Sequence, residues 1–121
     1  MTGKYTTLGM YERTTFLNHQ NPDLLISIHL NSSDKDTAQG VSTYYRYIGF
    51  KPLSVVILNC MLETGLREFG NVGSFNFALN GPTDYLNCLV EVAFLSSKDD
   101  EKKILDGEFR IQVAKKVVDG I

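Results

Sequence analysis

The run Asp23-Leu24-Leu25-Ile26-Ser27-Ile28-His29-Leu30-Asn31-Ser32 is apolar, bounded by polar residues, and ends on an imidazole. Alternate residues of a strand point to opposite faces, so Leu24, Ile26, Ile28 and Leu30 share one side while Leu25, Ser27 and His29 share the other. A histidine at the carboxyl end of such a strand stands where open α/β sheets hold their ligands. Taken alone, it reads more readily as a hydrogen-bonded core or rim residue than as a metal ligand.

Upstream, residues 8–20 set Met10, Arg13 and Leu17 at helical spacing, and Asn21-Pro22 stops that helix before the strand. Downstream, polar residues 31–39 form a loop, and residues 40–48 alternate around Val41, Thr43, Tyr45 and Tyr47 as a second strand. Its tyrosines at 44, 45 and 47 suit strand packing better than stacking on a sugar. Pro52 fits a first helical turn, apolar positions carry that helix over residues 53–69, and Gly70 ends it. A short third strand is expected over residues 75–79, because Gly70, Gly73 and Gly81 match no phosphate-binding spacing.

Residues 87–94 read as a strand, residues 99–105 as a brief acidic helix, and residues 108–121 as a final helix striped by Phe109, Val113, Val117 and Ile121. Alternating strands and helices predict an α/β fold, a mostly parallel sheet with helices on both faces. Four strands are few for such apolar segments, so the expectation is that the early strands of the domain are missing from this chain.

With 121 residues and 43% hydrophobic composition, the chain fits one core and one domain, residues 1–121. A net charge of -2, with basic residues dispersed among acids, disfavours nucleic acid as a partner. Cys60 and Cys88 form no Cys-x-x-Cys pair and sit in apolar runs, which suits buried free thiols. No apolar run approaches the roughly 20 residues of a membrane span, and the first seven residues carry no export signal. No internal repeat or linker is present.

In the 87–94 strand, Cys88, Val90, Val92 and Phe94 face one way, and Leu89, Glu91 and Ala93 face the other. Glu91 is the anomaly. An ionised carboxylate in an apolar strand costs several kcal/mol unless it is paired, bound to a cation or protonated, so Glu91 requires a partner. If the two strands are neighbours, His29 and Glu91 converge at one edge of the sheet. A catalytic zinc takes three protein ligands and a water, with a nearby carboxylate as base, and these two residues supply at best half of such a site. The other histidine, His19, falls at a helix end and reads as a surface residue. No His-Glu-x-x-His helix occurs, which disfavours a zinc peptidase of that type.

Several blocks together resemble the zinc-dependent N-acetylmuramoyl-L-alanine amidases of the cell-wall hydrolase type. They are Met10-x-x-Arg13 with Asn18, the Asp23 to Ser32 run, Gly40-Val-Ser-Thr-Tyr-Tyr, Cys88-Leu-Val-Glu91-Val-Ala-Phe-Leu-Ser96, and Asp100-Glu101. The likeness runs over residues 2–121, and the His29 and Glu91 blocks are specific in combination. It implies an amidase-like fold, a Zn2+ cofactor with His29 as its second histidine ligand, and Glu91 as the catalytic glutamate. It also implies a peptidoglycan or muropeptide substrate, cleaved between N-acetylmuramic acid and L-alanine, and a parent protein of the cell envelope, in the periplasm or extracellular wall.

The family's earlier Asp-x-Gly-His-Gly-Gly type motif and the glutamate soon after it, which supply the first ligands, do not occur in this chain. Gly3 stands where many relatives have arginine, and Ser97 where asparagine is frequent. The expectation is therefore the carboxyl-terminal two thirds of one amidase catalytic domain, weak in zinc binding and inactive alone. The alternative is a non-catalytic peptidoglycan-binding or regulatory module with an amidase-like fold. An exposed sheet edge further predicts a homo-oligomer.

Overall fold

The computed structural model describes residues 9–73 and 84–121. Helix α1 (Met10–His19) leads into β1 (Leu24–Asn31), β2 (Val41–Tyr45), a 3-10 turn (Ile48–Phe50) and α2 (Lys51–Leu62). Strands β3 (Glu68–Gly73) and β4 (Leu86–Phe94) follow, then α3 (Lys98–Leu105) and α4 (Gly107–Asp119). The described strands form one sheet in the order β1-β4-β2-β3. β1 pairs with β4 and β2 with β3 in parallel, while β2 and β4 run antiparallel. Two of the three pairings are thus parallel, as expected of a mostly parallel α/β sheet.

Local chemistry sets the element ends. Asn21 takes a left-handed conformation (φ 47°) directly after α1, and Pro22 prevents the helix from resuming. Pro52 occupies the first turn of α2, where its missing N–H costs nothing. Ser97 caps α3, its Oγ accepting from the Asp100 N–H, and Asp99, Asp100 and Glu101 place negative charge at the positive end of that helix. Asp106 caps α4 by accepting from the Glu108 N–H at 3.0 Å.

The core lies on the even-numbered face of β4, where Cys88, Val90 and Val92 meet Ile57, Leu58 and Met61 of α2 and Val113 and Val117 of α4. Ile57 and Met61 are fully buried, so truncating either to alanine costs about 2–5 kcal/mol. α2 and α4 approach closely near the end of the chain: a Cβ on Gly120 would lie 2.8 Å from Ile57 Cα. α3 joins this layer through Ile104. α1 stands toward the other face, where the charge of Arg13 acts on His29.

One buried carboxylate ties the strand ends together. Asp100 Oδ2 accepts from the Gly40 N–H at 2.7 Å and from the Phe94 N–H at 2.9 Å, linking the entry to β2, the end of β4 and the first turn of α3. Gly40 adopts φ 104°, and a Cβ there would lie 2.2 Å from the Arg67 carbonyl oxygen, so only glycine fits this approach.

Two element boundaries differ from the sequence expectation by three residues or more, and one strand stands where none was expected. The central helix ends at Leu62 rather than 69, because Gly65 turns the backbone left-handed (φ 84°) and frees Glu68 and Phe69 to enter β3. The second strand ends at Tyr45 rather than 48, since Ile48 already belongs to the 3-10 turn. The third strand lies at Glu68–Gly73; the expected strand over residues 75–79 falls outside the described residues.

Candidate active site

His29 and Glu91 are register partners across the β1–β4 ladder. In a parallel pair, aligned residues project to the same face from strands about 4.8 Å apart, so imidazole and carboxylate stand side by side. The face is the one opposite the aliphatic core, because Ile28 aligns with Val90 and Ile26 with Cys88 on the other side. On the far flank of Glu91, its antiparallel partner in β2 is Ser42, a fully buried residue whose hydroxyl donates to Tyr44 Oη at 3.2 Å.

The carboxylate sits in an environment that does not satisfy it. Among the described residues, Glu91 Oε2 is buried with no hydrogen-bond partner, and burial raises the side chain's proton affinity above the ordinary carboxylate range. His29 is shifted toward neutrality at physiological pH, first by burial and then by the positive charge of Arg13. Its Nε2 lies 2.7 Å from Ser27 Oγ, on the same strand face two residues earlier. A neutral imidazole beside a carboxylate suits a divalent cation, which would take up a free ring nitrogen while its charge stabilises the neighbouring carboxylate.

Among the described residues, no group of three or more His, Cys, Asp and Glu side chains gathers to hold a metal. His29 therefore fits a metal centre as one of its ligands, with the Glu91 carboxyl beside it. His19 is exposed in the last turn of α1 and lines a shallow apolar surface with Tyr11, Thr15 and Phe16. The cysteines are free thiols: Cys60 is half-buried on α2, and Cys88 lies in the core with its thiol pushed up to about 12 by burial. A surface cleft of about 450 Å3 between Arg67, Lys102, Asp106 and Phe109 includes neither His29 nor Glu91.

The sequence singled out His29 and Glu91 but assigned no role to Ser27. The signal was present in the two-residue period that put Ser27 and His29 on one face. What the period leaves open is whether neighbouring side chains touch.

Solved structures of similar shape are amidases. The chain superposes on the catalytic domain of CwlV, an N-acetylmuramoyl-L-alanine amidase from Bacillus (Paenibacillus) polymyxa var. colistinus, with TM-score 0.87 and 29% identity, covering 95% of this chain and 64% of that one. For the N-acetylmuramoyl-L-alanine amidase from Clostridium difficile 630 the values are 0.87 and 29%, over 93% of this chain and 63% of that one. AmiC2 of Nostoc punctiforme, at TM-score 0.86 and 23% identity, shares the fold over 94% of this chain and 64% of its own. This chain thus spans just under two thirds of the length of each. No curated protein sequence matches it. The family profile described as N-acetylmuramoyl-L-alanine amidase matches residues 1–121, and the chain belongs to that family.

Proposed function

We propose that this chain is the carboxyl-terminal two thirds of a zinc-dependent amidase catalytic domain, which cleaves the bond between N-acetylmuramic acid and the L-alanine of the peptide stem in peptidoglycan. The observation that carries this reading is the side-by-side pairing of His29 with Glu91, whose buried Oε2 has no hydrogen-bond partner among the described residues. When bound, zinc supplies a Lewis acid that polarises the scissile carbonyl and acidifies a water.

The chain's own residues do the rest. His29 offers a neutral ring nitrogen as one ligand; the remaining ligands come from outside the described residues. Glu91 acts as the general base, taking the proton of the attacking water on its carboxylate and delivering it to the departing amine nitrogen. Burial favours the protonated form of Glu91, so the carboxyl holds that proton between the two transfers. The parent protein then works at the cell envelope, where its substrate is.

Muropeptide digestion with and without zinc tests the reading. The 121-residue chain alone is expected to release negligible stem peptide, whereas the protein carrying the remaining ligands cleaves in a zinc-dependent manner. Strong zinc-dependent release by this chain alone would overturn the ligand assignment. The incomplete donor set among the described residues favours one second reading, a non-catalytic wall-binding or regulatory module. That reading predicts muropeptide binding that a chelator leaves unchanged.

A further inference from the structure

We propose that Ser27 is a positioning residue for His29: its hydroxyl holds the Nε2 edge of the ring and thereby assigns Nδ1 to the cation. This inference rests on the metal reading above. The starting observation is the 2.7 Å separation of Ser27 Oγ and His29 Nε2. A ring nitrogen engaged by a hydroxyl at that distance cannot also coordinate a metal in the same rotamer. The two nitrogens of an imidazole point in different directions, so only Nδ1 remains available.

The protonation pattern follows. A neutral imidazole carries one N–H, and the nitrogen that binds a metal must be the bare one. The proton therefore sits on Nε2 and is donated to Ser27 Oγ. Were Ser27 instead the donor to Nε2, the proton would move to Nδ1 and the ring would be closed to the cation. Ser27 thus selects the tautomer as well as the orientation.

The surroundings make this contact durable. Ser27 is 8% exposed, so water competes little for its hydroxyl. Both residues sit on β1 inside its paired stretch with β4, where Ser27 aligns with Leu89 and His29 with Glu91. Backbone pairing fixes the two-residue offset, and the side chains need only one rotamer each to meet. Glu91 is left out of this bond, consistent with its Oε2 lacking a partner.

The test is nitrogen-15 NMR of the His29 ring in the 121-residue chain near about pH 8, where the imidazole is neutral. The wild-type chain should show a single Nε2–H tautomer with an Hε2 proton protected from solvent exchange. Ser27→Ala should lose that protection, and Ser27→Thr, which keeps the hydroxyl and suits a strand, should restore it. Millimolar zinc should shift Nδ1, with an apparent affinity about 10-fold lower in Ser27→Ala. An Nδ1–H tautomer in the wild-type chain, a zinc shift centred on Nε2, or protection unchanged in Ser27→Ala each overturns the proposal. In a protein that carries the remaining ligands, zinc that shifts neither nitrogen while Hε2 stays protected overturns the metal reading itself, leaving Ser27 an ordinary strand contact, so the two failures are distinguishable.

Discussion

Replacing Glu91 with glutamine is expected to stabilise the metal-free chain at neutral pH, although it removes the proposed catalytic base. Among the described residues, Glu91 Oε2 is buried without a hydrogen-bond partner, and burial disfavours its negative charge. Leaving a buried polar group unpaired costs about 1–3 kcal/mol. The residue is only half-buried, so the lower end, about 1 kcal/mol, is the appropriate figure for the charge that glutamine removes at constant volume. For a chain of 121 residues that corresponds to a rise of about 4 °C in Tm.

The pH dependence carries the diagnosis. The folded-state proton affinity of Glu91 is raised above its unfolded value, so the native state binds the proton more tightly than the unfolded one. Its contribution to stability is present below the unfolded carboxyl value of about 4.3 and is lost as pH rises through the folded value. His29 runs the opposite way, its lowered folded value removing stability as pH falls below the unfolded imidazole value of 6.5. Both proteins share His29, so their difference isolates Glu91. Thermal unfolding followed by circular dichroism should place Glu91→Gln about 4 °C above wild type near about pH 7.5, with the gap closing near about pH 4. A variant that melts at or below wild type at neutral pH, or a gap of equal size at both pH values, would refute the unsatisfied-carboxylate argument.

Three further outcomes follow from the same geometry. In a protein that carries the remaining ligands, Glu91→Ala should lower muropeptide hydrolysis by about 100-fold or more while sparing bound zinc, whereas His29→Ala should reduce both, as read by stem-peptide release and metal analysis. Asp100→Ala strands the Gly40 and Phe94 N–H groups and should cost about 3 kcal/mol, measured as a lower urea midpoint at unchanged slope. The expected homo-oligomer would form through β1, where Ile28 and Leu30 are 55% and 44% exposed, so Ile28→Lys should abolish any concentration dependence in sedimentation. A wild-type chain that sediments as a monomer at every concentration would count against that association.

The sequence was most legible where periodicity alone decides the outcome. The two-residue alternation in β1 and β4 put His29 and Glu91 on the face away from Ile26, Ile28, Val90 and Val92, and their alignment across the ladder agrees with it. Periodicity could not give the register itself, which depends on how distant segments dock. Nor could it give the direction of β2, which runs against β4. The end of α2 was misread because Leu66 and Phe69 extend the apolar stripe. Leu66 is indeed buried, and Phe69 packs against Phe94 with ring centroids 4.9 Å apart, but both do so from beyond the helix. Burial demand was legible; the left-handed turn at Gly65 that satisfies it by a different path was not. In the sequence Asp100 stands out only as part of the Asp100-Glu101 block, because its value lies in two backbone donors, one of them 60 residues away.

The flank of β1 that faces away from β4 meets no other described strand, so every second amide and carbonyl along it points outward. Those groups form a template with a built-in ruler. A chain laid there in the same direction as β1 would bring its carboxyl end to the rim beside His29, and one laid in reverse would bring its amino end. The polarity of whatever docks on this margin thus decides which of its side chains can reach His29, before any of them is chosen for its chemistry.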